Sequence, residues 1–364
     1  MDFANYKKAF LILADGTVFE GKSFGASGTV IGEIVFTTAM TGYEETLTDP
    51  SYCGQLVTQT FPLIGNYGTN ESDRESNGSV VAGYIVREHC EMPSNFRSEG
   101  TIDAFLKKYG IIGLYDIDTR RLTRIIREIG VMNGMITDQA DLPKDKALEE
   151  IRAFRIGRVV PKVSVSKPER YPVENARFKV AMIDYGYKHN IRKELVKRGC
   201  DVTVFPYNVT AEEILAFEPD GIMLSNGPGD PELNPESIET LKKLIPAKIP
   251  TFGICLGHQL LALANGAKTV KLKYGHRGEN QPVTDLDLGR TFITSQNHGY
   301  AVVGDSIPPE AGKMSHVNGN DRTCEGVRYR NAPAFTVQFH PEACGGPQDT
   351  AYLFDEFIEL MEGK

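Results

Sequence analysis

Chemistry enters this chain at Gly253-Ile254-Cys255-Leu256-Gly257-His258-Gln259. The apolar run 251–254 stops at a cysteine set between two glycines, and 259–264 continues with helix-like character. That order reads as strand, sharp turn and helix, the thiol counterpart of the G-x-S-x-G nucleophile elbow. A thiol on such a turn faces a helix N-terminus, where the dipole and open N–H groups favour thiolate. Most cysteines are small buried hydrophobes; the glycine-flanked turn is what sets Cys255 apart. A base is available at His340-Pro341-Glu342. In an extended segment residues i and i+2 point the same way. Glu342 can therefore sit beside His340 and fix its tautomer, as in a nucleophile–histidine–acid triad. A surface His and Glu at a strand end is the plainer alternative.

Two polar stretches could serve such a nucleophile. Ser225-Asn226-Gly227-Pro228-Gly229-Asp230 follows an apolar strand and can present backbone N–H groups, forming an oxyanion hole with the Leu256 N–H. A plain loop of turn-forming residues is the competing reading. Gln296-Asn297-His298-Gly299-Tyr300 suits an amide or an amino-acid head group. His189, His258, His276 and His316 stand isolated and read as surface or hydrogen-bonding residues. No Cys/His spacing suggests a metal site, so none is expected. Phosphate-cradling G-x-x-x-x-G-K-[ST] and G-x-G-x-x-G loops are absent, which leaves nucleotide binding without a motif.

The elements that must position these residues lie after about residue 178. Apolar strands 179–184, 201–205, 221–224 and 250–254 alternate with helices 188–198, 211–215 and 236–244. This pattern predicts a doubly wound, mostly parallel sheet with sites at the strand C-termini. Residues 1–160 read as an α/β domain rich in strands: a hairpin across Ala14-Asp15-Gly16, strands 32–37 and 55–60, and helices 101–108 and 119–129. The second helix has Asp118 or Thr119 as N-cap and stops at Gly130. Prolines 161, 168 and 172, with many charges, mark 161–177 as a linker.

At 364 residues two domains are expected. The net charge of −8 argues against nucleic acid or an anionic membrane as main partner. Arg120, Arg121, Arg124 and Arg127 have helical spacing and read as a solvated face. The N-terminal residues show no signal-peptide pattern, and no apolar run reaches the ~20 residues of a membrane span. Cysteines 53, 90, 200, 255, 324 and 344 are widely spaced, which favours reduced thiols and a cytoplasmic location over a disulfide framework.

The stretches 253–262, 225–231, 296–300 and His340-Pro341-Glu342-Ala343, in these positions, resemble a class I glutamine amidotransferase domain. The N-terminal segments 38–52, 64–70 and 116–124 are similar to those of the glutamine-hydrolysing small subunits of carbamoyl phosphate synthetases. The resemblance covers nearly the whole chain. It implies Cys255 as nucleophile, His340 as general base and acid, and Glu342 as its orienter. Glutamine would be held by Ser51, Gly227, Gly229, Leu256, Gln259, Asn297, Gly299 and Tyr300, with Gly229 and Leu256 supplying the oxyanion hole through backbone N–H. Ser51 would come from the N-terminal domain, which would also dock the partner. The family pattern has phenylalanine where Tyr300 stands.

The resemblance further implies a cytoplasmic ligase component that makes glutamate and ammonia from L-glutamine through a cysteinyl thioester. The ammonia would pass to a large synthetase subunit, joined as a heterodimer or higher oligomer, that makes carbamoyl phosphate from bicarbonate and ATP for arginine and pyrimidine synthesis. No cofactor is expected in this chain, with ATP and magnesium on the partner. The rivals are another amidotransferase's glutaminase, a stand-alone cysteine hydrolase and an inactive regulatory chain.

Overall fold

The structure, a computed structural model, describes residues 6–343 and 345–363, which fall into two compact units meeting in sequence at Ile156 and Gly157. Cys344 and residues 1–5 lie outside the described residues, and Cys53, Cys90, Cys200, Cys255 and Cys324 form no disulfide. No described helix is long and apolar enough to cross a membrane.

The first unit runs β1 (Lys8–Leu13), β2 (Val18–Gly25), β3 (Thr29–Thr37), α1 (Tyr43–Thr48), β4 (Gln55–Gln59), β5 (Leu63–Ile64), β6 (Gly83–Ile85) and β7 (Glu88–His89). It continues through α2 (Ile102–Lys108), β8 (Ile112–Tyr115), α3 (Thr119–Ile129), β9 (Met132–Thr137) and α4 (Lys144–Ala153). Among the described residues seven of these strands close a barrel in the order β1-β2-β8-β6-β4-β3-β9. Closure removes the exposed strand edges that an open sheet would carry. Successive residues go to opposite layers: Ile34, Leu56 and Ile85 pack with Leu122 and Ile126 of α3, while Val35, Val57 and Tyr84 pack with α1 and α2. Helix α3 is capped as its sequence predicts, the Asp118 carboxylate accepting from the Arg121 N–H at 2.8 Å and Gly130 closing the end. Its four arginines are exposed.

The second unit contains α5 (Val160–Val163), β10 (Glu169–Tyr171), β11 (Phe178–Asp184), α6 (His189–Lys197), β12 (Cys200–Pro206), α7 (Ala211–Phe217), β13 (Gly221–Leu224), α8 (Pro235–Leu244) and β14 (Thr251–Ile254). Then come α9 (Leu256–Ala264), β15 (Thr269–Asp285), β16 (Arg290–Val302), β17 (Gly312–Asn318), β18 (Cys324–Tyr329), β19 (Ala334–Val337) and α10 (Tyr352–Met361). They build a ten-stranded sheet ordered β10-β12-β11-β13-β14-β19-β18-β16-β15-β17. Strands β12, β11, β13, β14 and β19 run parallel. Along them Val180 and Met182 face α6 and α10, while Ala181 and Ile183 face α7, α8 and α9. Burial on both faces explains why these strands are continuous apolar runs.

Two expectations are corrected here. The sheet is mixed rather than mostly parallel, because β18, β16, β15 and β17 pair antiparallel beyond β19, and β10 pairs antiparallel with β12. The long β15–β16 hairpin buries polar residues, among them Ser295, Gln296, Asn297 and His298, so it lacks the apolar alternation of a half-buried strand. The segment 161–177 is also not a bare linker. It holds part of α5 and the whole of β10, whose Arg170 forms an ion pair with Asp201 of β12 at 2.6 Å. Its prolines break the periodicity without preventing three residues from adding to a sheet edge.

Candidate active site

Cys255 stands between β14 and α9 with φ 52° and ψ −101°, a backbone conformation that costs a non-glycine residue about 1–3 kcal/mol. Its N–H donates to the Val337 carbonyl of β19 at 2.8 Å, and the Gly257 N–H donates to Ser225 O at 3.0 Å. Both neighbouring strands therefore hold the turn in its strained form. Gly257 is required by this closeness: a Cβ there would lie 2.5 Å from the Leu224 carbonyl oxygen. The Leu256 N–H opens the helix and has no intrahelical acceptor by its position.

His340 follows the end of β19 just as Cys255 follows the end of β14, and these two strands pair in parallel. One strand, β16, fixes both residues. The Ser295 carbonyl accepts from the His340 N–H at 2.9 Å, and the Asn297 carbonyl accepts from the Cys255 thiol at 3.7 Å. Ser295 and Asn297 are two apart on an extended strand, so their carbonyls face the same way. The His340 Nδ1 donates to Glu342 Oε1 at 2.7 Å, and its Nε2 is buried with no partner among the described residues. A neutral imidazole held in this way carries its lone pair on Nε2, the tautomer a general base needs.

The carboxylate has a second partner that the sequence pattern did not single out. Lys188 Nζ lies 2.8 Å from Glu342 Oε1, with both side chains almost fully buried. Burial would raise the Glu342 carboxyl, but the Lys188 ammonium and the His340 ring outweigh it and hold it down at about 2. Lys188 is the N-cap of α6, and its N–H donates to the Asn226 side-chain oxygen at 3.0 Å. A cation at a helix N-terminus is disfavoured by the dipole, and the Glu342 carboxylate 2.8 Å away offsets it here. Asn190 of α6 also donates to the Glu342 carbonyl.

The residues expected to hold a substrate fall in several places. Gln259 of α9 donates through Nε2 to the Tyr300 carbonyl at 2.8 Å and to Gln338 Oε1 at 2.9 Å. Asn297, Gly299 and Tyr300 lie within one four-residue stretch of β16. Tyr300 joins this network by its backbone oxygen, a contact that phenylalanine would make equally well. Gly227 packs against Leu256, where an added Cβ would come within 2.8 Å of that side chain, and Gly229 has φ +88°, a conformation suited to glycine. Ser51 belongs to the first unit, buried in the turn Pro50–Tyr52, with its N–H donating to Asp49 at 2.9 Å.

Of the isolated histidines, His258, His276 and His316 are buried and hydrogen-bonded, and His189 is half-buried. His258 is fully buried, its Nδ1 2.8 Å from Thr336 Oγ1, and burial with the nearby His316 pushes it down to about 3. It ties α9 to β19 as a neutral pin. His276 of β15, distant in sequence from His298 of β16, is its direct register partner, and Glu325 of β18 joins them. Thus side chains that carried no metal-ligand spacing converge across three strands.

Residues 181–360 match the class-I glutamine amidotransferase family, and residues 11–136 match the CPSase domain of the carbamoyl-phosphate synthase small chain. Over 358 residues the chain is 52% identical to the carbamoyl phosphate synthase small chain of Listeria monocytogenes serotype 4b, covering 98% of each. Similarity to the small chain of Fusobacterium nucleatum subsp. nucleatum is 54% over 355 residues, covering 97% of this chain and 98% of that one. The small chain of Oceanobacillus iheyensis is 52% identical over 357 residues, covering 98% and 96%.

Proposed function

We propose, because this chain belongs to the carbamoyl phosphate synthase small-chain family, that it is the glutamine-hydrolysing component of that synthase. The observation that carries the reading is the His340–Glu342 hydrogen bond of 2.7 Å beside the strained turn of Cys255. It supports a triad in which the buried Nε2 of His340 takes the thiol proton.

The Cys255 thiolate then attacks the side-chain amide carbon of glutamine. Charge develops on the amide oxygen and is held by the N–H groups of Gly229 and Leu256, where losing one donor costs roughly 3 kcal/mol. His340 returns its proton to the departing nitrogen, ammonia leaves, and Cys255 is left as a γ-glutamyl thioester. His340 next takes a proton from water, hydroxide adds to the thioester carbon, and the thiolate departs as glutamate forms. Water and glutamine are thus consumed, and glutamate and ammonia are released. Asn297, Gly299, Tyr300, Gln259 and Gly227 hold the substrate. Ammonia passes to a large synthetase subunit, the partner in a heterodimer, which carries the ATP, magnesium and bicarbonate chemistry in the cytoplasm.

In the assembled complex, Cys255→Ser should abolish glutamine-dependent carbamoyl phosphate synthesis and leave ammonia-dependent synthesis intact. Loss of both activities in an intact complex would overturn this division of labour.

A further inference from the structure

On the antiparallel half of the second unit's sheet, His276, His298 and Glu325 bring three ligand atoms within 4.8 Å of one another, all on buried side chains. The hydrogen bonds around them restrict where the ring protons sit. His298 Nδ1 lies 2.7 Å from the Tyr300 carbonyl oxygen, which can only accept, so this nitrogen holds the proton. With that proton on Nδ1, the lone pair of the His298 ring is on Nε2, which also lies 3.0 Å from Gln296 Oε1. His276 Nε2 donates to the Asp321 carboxylate at 2.8 Å, which leaves His276 Nδ1 facing inward.

The two inward nitrogens are 3.2 Å apart, and Glu325 Oε1 is 3.5 Å from His276 Nδ1. Glu325 is fully buried, and its Oε2 has no partner among the described residues. Acceptors facing one another in a dry interior repel unless a cation sits among them. Two nitrogens bound tetrahedrally at 2.0–2.1 Å stand about 3.3 Å apart, close to the separation found here. Each ring's outer nitrogen donates to a carboxylate or a backbone carbonyl, which is how metal-binding histidines are usually oriented.

We propose that His276 Nδ1, His298 Nε2 and Glu325 form a zinc site, with Asp321 and the Tyr300 carbonyl as its orienting shell. Two imidazoles and one carboxylate are a familiar zinc ligand set, leaving a fourth position for water. The site is independent of the glutaminase reading, although His298 lies between Asn297 and Gly299. Metal bound there would tie β15, β16 and β18 together immediately behind that stretch.

The full chain in a Cys255→Ser background, which removes the catalytic thiol as a ligand, is stripped with chelator and equilibrated with zinc or cobalt. One zinc per chain and the absorption of tetrahedral cobalt are expected. H276N and E325Q should lower zinc to the level of chelator-treated protein. D321N should weaken binding about 10- to 100-fold. E325Q is isosteric and keeps an oxygen for the Asn318 amide, which donates to Glu325 Oε1 at 2.9 Å, so its circular dichroism should match the parent. Absence of zinc above background in the parent chain, or undiminished zinc in both H276N and E325Q, would overturn the site. The first result would leave an imidazolium at His276 as the cation between Asp321 and Glu325.

Discussion

Between β12 and β19 the parallel strands of the second unit bury mainly Val, Ile, Met, Leu and Phe, whereas the neighbouring antiparallel strands bury Gln296, Asn297, His298, Asn318 and Glu325. The parallel half is held by non-directional burial against helices on two faces. It delivers strand ends to fixed places, and the proposed reacting groups Cys255 and His340 stand beyond those ends. The antiparallel half is held by directional hydrogen bonds, which fix one geometry only when every member is satisfied. It supplies backbone contacts to the site and keeps its polar side chains for itself. One sheet thus separates groups that react from groups that hold.

This comparison breaks if substitutions in the two halves have similar effects. Glu342→Gln, which removes the charge orienting His340, should lower kcat by tens of fold with KM little changed. That is well short of the roughly 10^4-fold known for serine triads, because a thiol ionises with less help. Steady-state glutaminase kinetics would check it, and an unchanged kcat would remove Glu342 from the triad.

Lys188→Met should come next. In the wild type Glu342 is depressed from 4.5 to about 2, with burial opposing and Lys188 and His340 prevailing. A depressed carboxyl contributes stability that is present above about pH 4.5 and is lost as pH falls through about 2. Without the ammonium that carboxyl rises, so the acid-unfolding midpoint should move up by about one pH unit or more. Circular dichroism across an acid titration would detect it; an unmoved midpoint would mean that His340 alone offsets the burial. The smallest effect belongs to the antiparallel half. Tyr300→Phe should change the KM for glutamine by less than about twofold, since the contact is a carbonyl, and a larger change would give the phenol a part.

Much of the parallel half was legible because its strands are unbroken apolar runs and the helix after β11 stops at Gly199. Cys255, His340 and Glu342 stood out by local spacing, and the resemblance rather than the spacing gave them their roles. Lys188 was not, since its partner is far away in sequence and only the fold brings them to 2.8 Å. The antiparallel half hid for a related reason. Its buried residues are polar, so Gln296–Tyr300 read as a polar patch rather than as part of a strand of thirteen residues. A register shift between Lys271 and His276 then aligns His276 with His298 in a way that no periodicity encodes. The barrel of the first unit was legible as strands and capped helices, but its closure depends on β1 meeting β9, a pairing between opposite ends of that unit.

Cys255 is 2% exposed, and this bears on how long a chain of this kind stays active. Cysteine oxidation follows thiolate character together with access. The proposed nucleophile must lose its proton to react, so access is what remains to protect it from peroxide. Enclosure by β16 and the glycine-lined turn then acts as an antioxidant device, slowing the irreversible steps to sulfinic and sulfonic acid.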